Sequence, residues 1–258
     1  MVSMLVKEML RRLLPPKLTI RLIANTNYKS GEPELKLLKD LVDPTKNSVD
    51  IGANKGSYTF FLSQLSKHVY AYEPNPALAK FLSKAVNSSK VSVYPIALSD
   101  REGVAKLSIP IMDSFVYDQL GSLQLQNSRG EKIQTFDVPL KRLDDRGHTN
   151  VGFVKIDVEG HEEVVIDGAI NLIDKQRPIL LIEIEQKHHI DKDITAIFSK
   201  ILALGYEGFF LFDGQLRSLN EFSKDKYQDP KKYQGLASLG KDYVCNFIFK
   251  PSYELAKS

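Results

Sequence analysis

Val49-Asp50-Ile51-Gly52-Ala53-Asn54-Lys55-Gly56-Ser57 is the stretch on which the reading of this chain turns. Apolar residues run into a turn carrying two glycines, and an amphipathic pattern follows at Tyr58, Phe60, Phe61, Leu62 and Leu65. A strand that ends in such a turn brings backbone close to a ligand, because glycine lacks a Cβ and tolerates positive φ. The turn opens into a helix N-terminus, where free N–H groups favour a polar or anionic partner. Seventeen residues beyond Gly56 stands Glu73, closing a second apolar stretch, His68-Val69-Tyr70-Ala71-Tyr72. A carboxylate there can accept hydrogen bonds from both hydroxyls of a ribose. Together these features predict the nucleoside half-site of a Rossmann-like α/β domain.

Outward from that stretch the pattern alternates. Strand-like apolar runs fall at 48–52, 68–73, 91–95, 151–157, 178–184, 206–212 and 243–249, with helical patterns at 57–66, 76–87, 160–173 and 193–204. Such alternation predicts a doubly wound, mostly parallel sheet with helices on both faces. The last two strands have no long helix between them, and Asp213-Gly214 is a hairpin signal, so an antiparallel terminal strand is expected. Residues 103–145 break the rhythm. Two further strands, 104–109 and 133–138, surround a polar stretch from Asp113 to Gly130, and this insertion is a natural place for substrate selection. The stretch 223–234 reads as a solvated loop. The domain is expected to span 47–250, after an N-terminal lead-in of 1–46 and before a tail of 251–258.

The first segment pairs Leu5-Val6, Met9-Leu10 and Leu13-Leu14 at helical spacing, and Pro15-Pro16 is expected to stop that helix. Residues 1–29 hold six basic side chains against the single Glu8, while the whole chain of 258 residues carries only +3, so the remainder is slightly acidic. No nucleic-acid surface is indicated beyond residue 29. The basic amphipathic segment 1–16 either contacts a membrane surface or a partner, or packs on its own domain. Composition is that of an ordinary globular protein, 43% hydrophobic and 26% charged. No apolar run is long enough to span a bilayer and no secretory signal is visible, which makes the cytoplasm the default compartment. The single cysteine, Cys245, excludes an intrachain disulfide and reads as a small buried hydrophobe.

The spacing of the first turn does not fit the G-x-G-x-x-G of dinucleotide-binding domains. An acidic residue, a glycine two later and another glycine four beyond fit an S-adenosylmethionine turn better. Asp50 then stands where it can receive the cofactor's ammonium, and Asn54, in place of a middle glycine, adds an amide that can bond the cofactor.

With these residues in view, the chain resembles the FkbM-type methyltransferases from about residue 47 to about 212. The resemblance is carried by Val49 to Gly56, by Tyr72-Glu73-Pro74-Asn75-Pro76, by Ala97-Leu98-Ser99-Asp100 and by Leu143-Asp144-Asp145. Its most specific part is Phe153-Val154-Lys155-Ile156-Asp157-Val158-Glu159-Gly160-His161-Glu162, with Arg177-Pro178 and Ile182-Glu183 after it. It implies a class I methyltransferase fold, S-adenosylmethionine as donor, and O-methylation of a sugar or secondary-metabolite hydroxyl.

On this reading Asp50, Gly52, Asn54, Gly56 and Glu73 hold the cofactor, with Ser99 and Asp100 near its adenine and Ala97 beneath the ring. Asp157 organises donor and acceptor at the carboxyl end of its strand, where open α/β sheets bind ligands. Glu159 or His161 takes the acceptor's proton, unless these two residues merely cap the following helix. Glu183 is expected in the cleft. Asp157, Glu159, Glu183, His188 and His189 could supply metal ligands, but no spacing resembles a metal motif, and none is assigned. The acceptor is a small molecule or glycan. Two competing readings are a nicotinamide-dependent oxidoreductase and a non-catalytic Rossmann-like module docked to a membrane or a synthase complex.

Overall fold

The computed structural model describes residues 14–112, 115–116, 132–229 and 242–252. All seven expected strands are present, as β1 (Asn47–Ile51), β2 (Val69–Tyr72), β3 (Val91–Tyr94), β8 (Val151–Ile156), β9 (Ile179–Glu183), β10 (Tyr206–Phe212) and β12 (Asn246–Pro251). With the edge strand β11 (Gln215–Ser218) they form one eight-stranded sheet in the order β11-β10-β12-β9-β8-β1-β2-β3. The pairs β1–β2, β1–β8, β2–β3 and β8–β9 are parallel, whereas β12 runs antiparallel to both β9 and β10. This is the expected doubly wound, mostly parallel arrangement, with a late antiparallel strand slotted between its neighbours. The Asp213-Gly214 turn is a hairpin with positive φ at both residues, as a type I′ turn requires. Its second arm is β11, paired antiparallel with β10 from Phe209↔Ser218 to Phe212↔Gln215.

The short helix α2 (Leu38–Leu41) precedes β1, helices α3 (Ser57–Leu65) and α4 (Pro76–Ala85) follow β1 and β2, and α7 (Thr195–Ala203) precedes β10. The predicted helix 160–173 is two helices, α5 (Glu162–Asp167) and α6 (Ile170–Gln176). The break falls where Gly168 touches another loop: a Cβ there would stand 1.9 Å from the carbonyl oxygen of Ser99. Alternation along the strands builds a core on each face of the sheet. Val49, Ile51, Val154, Ile156 and Ile182 pack with α5, α6 and α7. Ala71, Phe153, Leu181 and Ile248 pack on the other face with Tyr58, Leu62 and Leu82.

Pro15-Pro16 begins a helix instead of only ending one. Proline's fixed φ suits the first helical turn, where its missing N–H is no loss, and α1 runs Pro16–Ser30 with Ile20, Ile23 and Ala24 buried. The segment 1–13, and the helix expected in it, lies outside the described residues. Within the stretch 223–234, the described residues 223–229 are not a solvated loop. Lys224–Tyr227 forms a helical turn, α8. Tyr227 is buried among Phe210, Phe212 and Phe222, and Gln228 Nε2 donates to the carbonyls of Ile184 and Val244.

The insertion forms a second sheet. β5 (Gly103–Met112) and β7 (Lys132–Lys141) pair antiparallel from Gly103↔Leu140 to Ile111↔Lys132, flanked by β4 (Ala97–Leu98) and β6 (Phe115–Val116). Its small core is Ala97, Leu107, Ile109, Val138 and Leu140. Most of the polar stretch 113–130 lies outside the described residues. Among the described residues no helix is long and apolar enough to cross a membrane.

Candidate functional site

At the carboxyl end of β1 the chain turns at Gly52 with φ +76°, and its amide donates to Tyr72 O at 2.9 Å. A Cβ at Gly52 would lie 1.8 Å from the carbonyl oxygen of Asp157, so only glycine lets the β1 and β8 ends meet. Asn54 also has positive φ, and Gly56 caps α3 in the left-handed region. From the end of β2, Glu73 reaches back to this loop. Its Oε2 accepts from Asn54 N–H at 2.6 Å and its Oε1 from Asn75 N–H at 2.8 Å. Asn75 in turn caps α4, accepting at Oδ1 from Ala77 N–H and Leu78 N–H. Each carboxylate oxygen of Glu73 therefore has one lone-pair direction filled and one left.

Two cavities meet at Gly52, Asn54 and Asp157. The first, ≈70 Å³, runs between Glu73 and the apolar side chains of Leu78, Ile96, Ala97 and Leu107, so the second sheet supplies part of its wall. Glu159 and His161 also line it. The second, ≈240 Å³, is polar, with Glu32, Asp50, Lys55, Tyr58, Lys155 and Asp157 in its walls. Thr26 and Asn27 of α1 close it from above, and Asn27 Nδ2 donates to Ser57 Oγ at 2.7 Å, pinning α1 to the start of α3.

Burial governs the charges here. Asp50, hydrogen-bonded by Thr59 Oγ1 at 2.5 Å, is pushed up to about 6. Asp157 also rises to about 6 through burial, against the pull of Lys155. Burial lifts Glu73 to about 7 although the Asn75 and Asn54 amides oppose it, and lifts Glu159 to about 7 against His188. Desolvation disfavours the charged form in each case. Lys155 lies beside Asp50 in the β1–β8 register. It is buried, with Nζ 3.2 Å from Asn246 Oδ1 and 5.0 Å above the Tyr58 ring. Burial works against its charge, but Asp157, Glu183 and Glu32 outweigh that and hold its pKa above the usual lysine value.

Asp50, Gly52, Asn54, Glu73, Asp157, Glu159 and His161 thus share one continuous site. Glu159 sits at φ +46°, a costly conformation for a glutamate and one that clusters at functional positions. Ser99 and Asp100 do not line either cavity. Ser99 is buried behind His161, 3.2 Å from its Nε2, and Asp100 is partly exposed beside Arg101. His161 is turned to Ser99, and burial lowers its pKa. Glu183 lines neither cavity, although burial and then Asp157 raise its pKa. His189 is buried against Glu162 Oε2 at 2.8 Å, and Glu162 Oε1 accepts from Gly160 N–H. Among the described residues no group of three or more His, Cys, Asp and Glu is arranged to hold a metal ion. Cys245 is half-buried, and burial pushes its thiol well above the usual value.

Sequence reading missed Lys155 and Glu32. A lone lysine inside Phe153-Val154-Lys155-Ile156 was the available signal, because a cation on a buried strand needs partners. Glu32 carried none, since its place depends on how α1 folds back over the sheet.

The sheet order and the glycine turn at the end of β1 are those of a Rossmann-like class I methyltransferase fold. Residues 50–207 match the profile of the methyltransferase FkbM domain, and the chain belongs to that family. It is 25% identical over 178 residues to the hexuronic acid methyltransferase AglP of Haloferax volcanii, covering 66% of this chain and 69% of that protein. Among solved structures, a methyltransferase FkbM from Methylobacillus flagellatus KT aligns at 15% identity and a TM-score of 0.49, over 91% of this chain. The match spans about half, 54%, of that longer chain. A SAM-dependent methyltransferase from Aquifex aeolicus aligns at 13% identity and a TM-score of 0.43, over 92% of this chain and 98% of its own.

Proposed function

We propose that this protein transfers a methyl group from S-adenosylmethionine to a hydroxyl of a sugar or similarly hydroxylated small molecule. The observation that carries the reading is Glu73, fixed by two backbone amides with one acceptor direction left on each oxygen, in the wall of a cleft. Two vicinal ribose hydroxyls suit that pattern. A second observation agrees. Asn54 Oδ1 is buried without a hydrogen-bond partner among the described residues, where the two cavities join. An ammonium donor satisfies such an oxygen, and Asp50 lies in the same cavity wall.

When bound, the cofactor supplies an activated methyl group on a sulfonium. The residues of this chain then have three tasks. Glu73, Asn54 and Asp50 hold the two ends of the donor, which leaves its centre over the junction lined by Gly52 and Asp157. The polar walls of the larger cavity, Glu32, Asn27, Lys55 and Tyr58, surround the amino-acid end of the donor beside Asp50. Glu159 accepts the hydroxyl proton as the carbon–oxygen bond forms. Its pKa of about 7 suits a base working near neutrality. Asp157, beside Lys155, keeps the junction polar and the acceptor oxygen aligned, and alignment supplies much of the rate of an in-line transfer.

The hexuronic acid methyltransferase among its relatives favours a glycan acceptor. The test is release of S-adenosylhomocysteine by purified protein with hexuronic acid and neutral hexose glycosides, the product located by mass spectrometry. Acceptor-dependent release with a methylated sugar oxygen is expected. Binding of the cofactor with transfer only to amines or to protein would overturn the hydroxyl assignment.

A further inference from the structure

His161, Ser99 and Asp100 form a short relay behind the narrower cavity. Ser99 Oγ donates to Asp100 Oδ1 at 3.2 Å, so its one hydroxyl proton is committed to the carboxylate. The same Oγ lies 3.2 Å from His161 Nε2, and with its proton spent it can only accept there. Nε2 therefore carries the proton of the neutral ring, and Nδ1 keeps a lone pair. Burial lowers the imidazole pKa, which favours that neutral ring. Nδ1 is buried and has no hydrogen-bond partner among the described residues. His161 lines the cavity together with Ile96, Ala97 and Leu98, which are apolar and of a size to lie against a flat ring, and it is absent from the walls of the polar cavity.

We infer that His161 selects the base of the cofactor: its Nδ1 accepts a hydrogen bond from the exocyclic amine of adenine, and Ser99 and Asp100 are positioning residues that hold the tautomer. The inference rests on the methyltransferase reading and adds to it the identity of the group that reads the base. An amine donates to Nδ1, whereas a carbonyl in its place sets one lone pair against another. A site built to bond a polar group discriminates strongly against an analogue that cannot reciprocate. The same tautomer removes His161 from the proton path, because Nε2–H faces Ser99 and Nδ1 faces the base.

The experiment is calorimetric titration of the full chain with S-adenosylhomocysteine and with S-inosylhomocysteine, which carries a carbonyl where adenine has its amine. The wild type should prefer the adenosyl compound by about ten- to a hundredfold. His161→Leu should bring the two affinities together, mainly by weakening the adenosyl compound. Ser99→Ala, a much smaller change that frees the ring to take the other tautomer, should lower the preference by severalfold. It also serves should His161→Leu fail to fold. His161→Asn, whose amide oxygen can stand near the place of Nδ1, should restore part of the preference. A wild type that binds both compounds equally, or variants that keep the full preference, would overturn the inference and leave the methyltransferase reading intact. A wild type that binds neither would sink both.

Discussion

Replacing Glu73 removes one acceptor from two backbone amides at once. Asn54 N–H and Asn75 N–H bond its two oxygens at 2.6 and 2.8 Å, and the side chain is 5% exposed. A buried donor left without a partner costs about 1–3 kcal/mol. Against this stands the cost of burying the carboxylate itself, visible in a pKa raised to about 7, so the net destabilisation for Glu73→Ala is about 1–3 kcal/mol. For a chain of this size that lowers the melting temperature by roughly 2–6 °C. The effect on ligand is separate. Loss of two charge-assisted bonds to ribose weakens S-adenosylhomocysteine by about 1.5–3 kcal/mol, or roughly ten- to a hundredfold. Glu73→Gln sharpens the test. Its amide nitrogen turns a donor toward one of the two N–H groups, so it cannot serve all four bonds. It should lose nearly as much affinity as alanine while keeping the volume. Calorimetry at pH 8, where the wild-type carboxylate is ionised, would measure both variants, with melts confirming that each is folded. A folded Glu73→Ala variant that binds within twofold of wild type would refute the ribose role.

Two further outcomes follow from the charges of the site. Glu73 and Glu34 have folded pKa values near 7 and Asp50 near 6, against ordinary values of 4.5 and 3.8. Between those limits the folded protein holds protons that the unfolded chain has released, so the stability of ligand-free protein falls as pH rises through about 4 to 7 and levels off above. His148, lowered by burial to about 4, acts oppositely below pH 6.5. Glu73→Gln should therefore lose less melting temperature than wild type between pH 5 and pH 8, and an unchanged slope would contradict its buried protonation. Lys155→Met strands Asp157 and Asn246 Oδ1 without their cation. Leaving buried polar groups without their partner costs about 1–3 kcal/mol, more where a charge is involved. Melting should drop accordingly; a variant melting with wild type would show that Lys155 is not bearing those charges.

What could be read from the sequence was what repeats locally. β8 and β9 are largely apolar runs because both faces are covered, and Asp213-Gly214 announces its turn by residue type alone. The glycine turn and Glu73 were legible because a close backbone approach and a strand-end acid each restrict residue type. Other features depend on contacts between distant segments. The break after Asp167 exists because Gly168 touches Ser99, and Tyr227 is buried because α8 lands on Phe210 and Phe222. Nothing near those residues says so. Pro15-Pro16 is ambiguous on its own, since proline both ends a helix and begins one, and the burial of Ile20 and Ile23 decided it. The pairing of Lys155 with Asp50 needed the β1–β8 register, which the motif around Lys155 does not state.

The most direct measurement is a crystal structure of the protein with S-adenosylhomocysteine. Both ribose hydroxyls are expected on the two oxygens of Glu73, the amino-acid end beside Asn54 Oδ1 and Asp50, and the sulfur facing the junction at Asp157. A ligand seated elsewhere, or Glu73 directed away from a ribose in an otherwise ordered complex, would contradict the account.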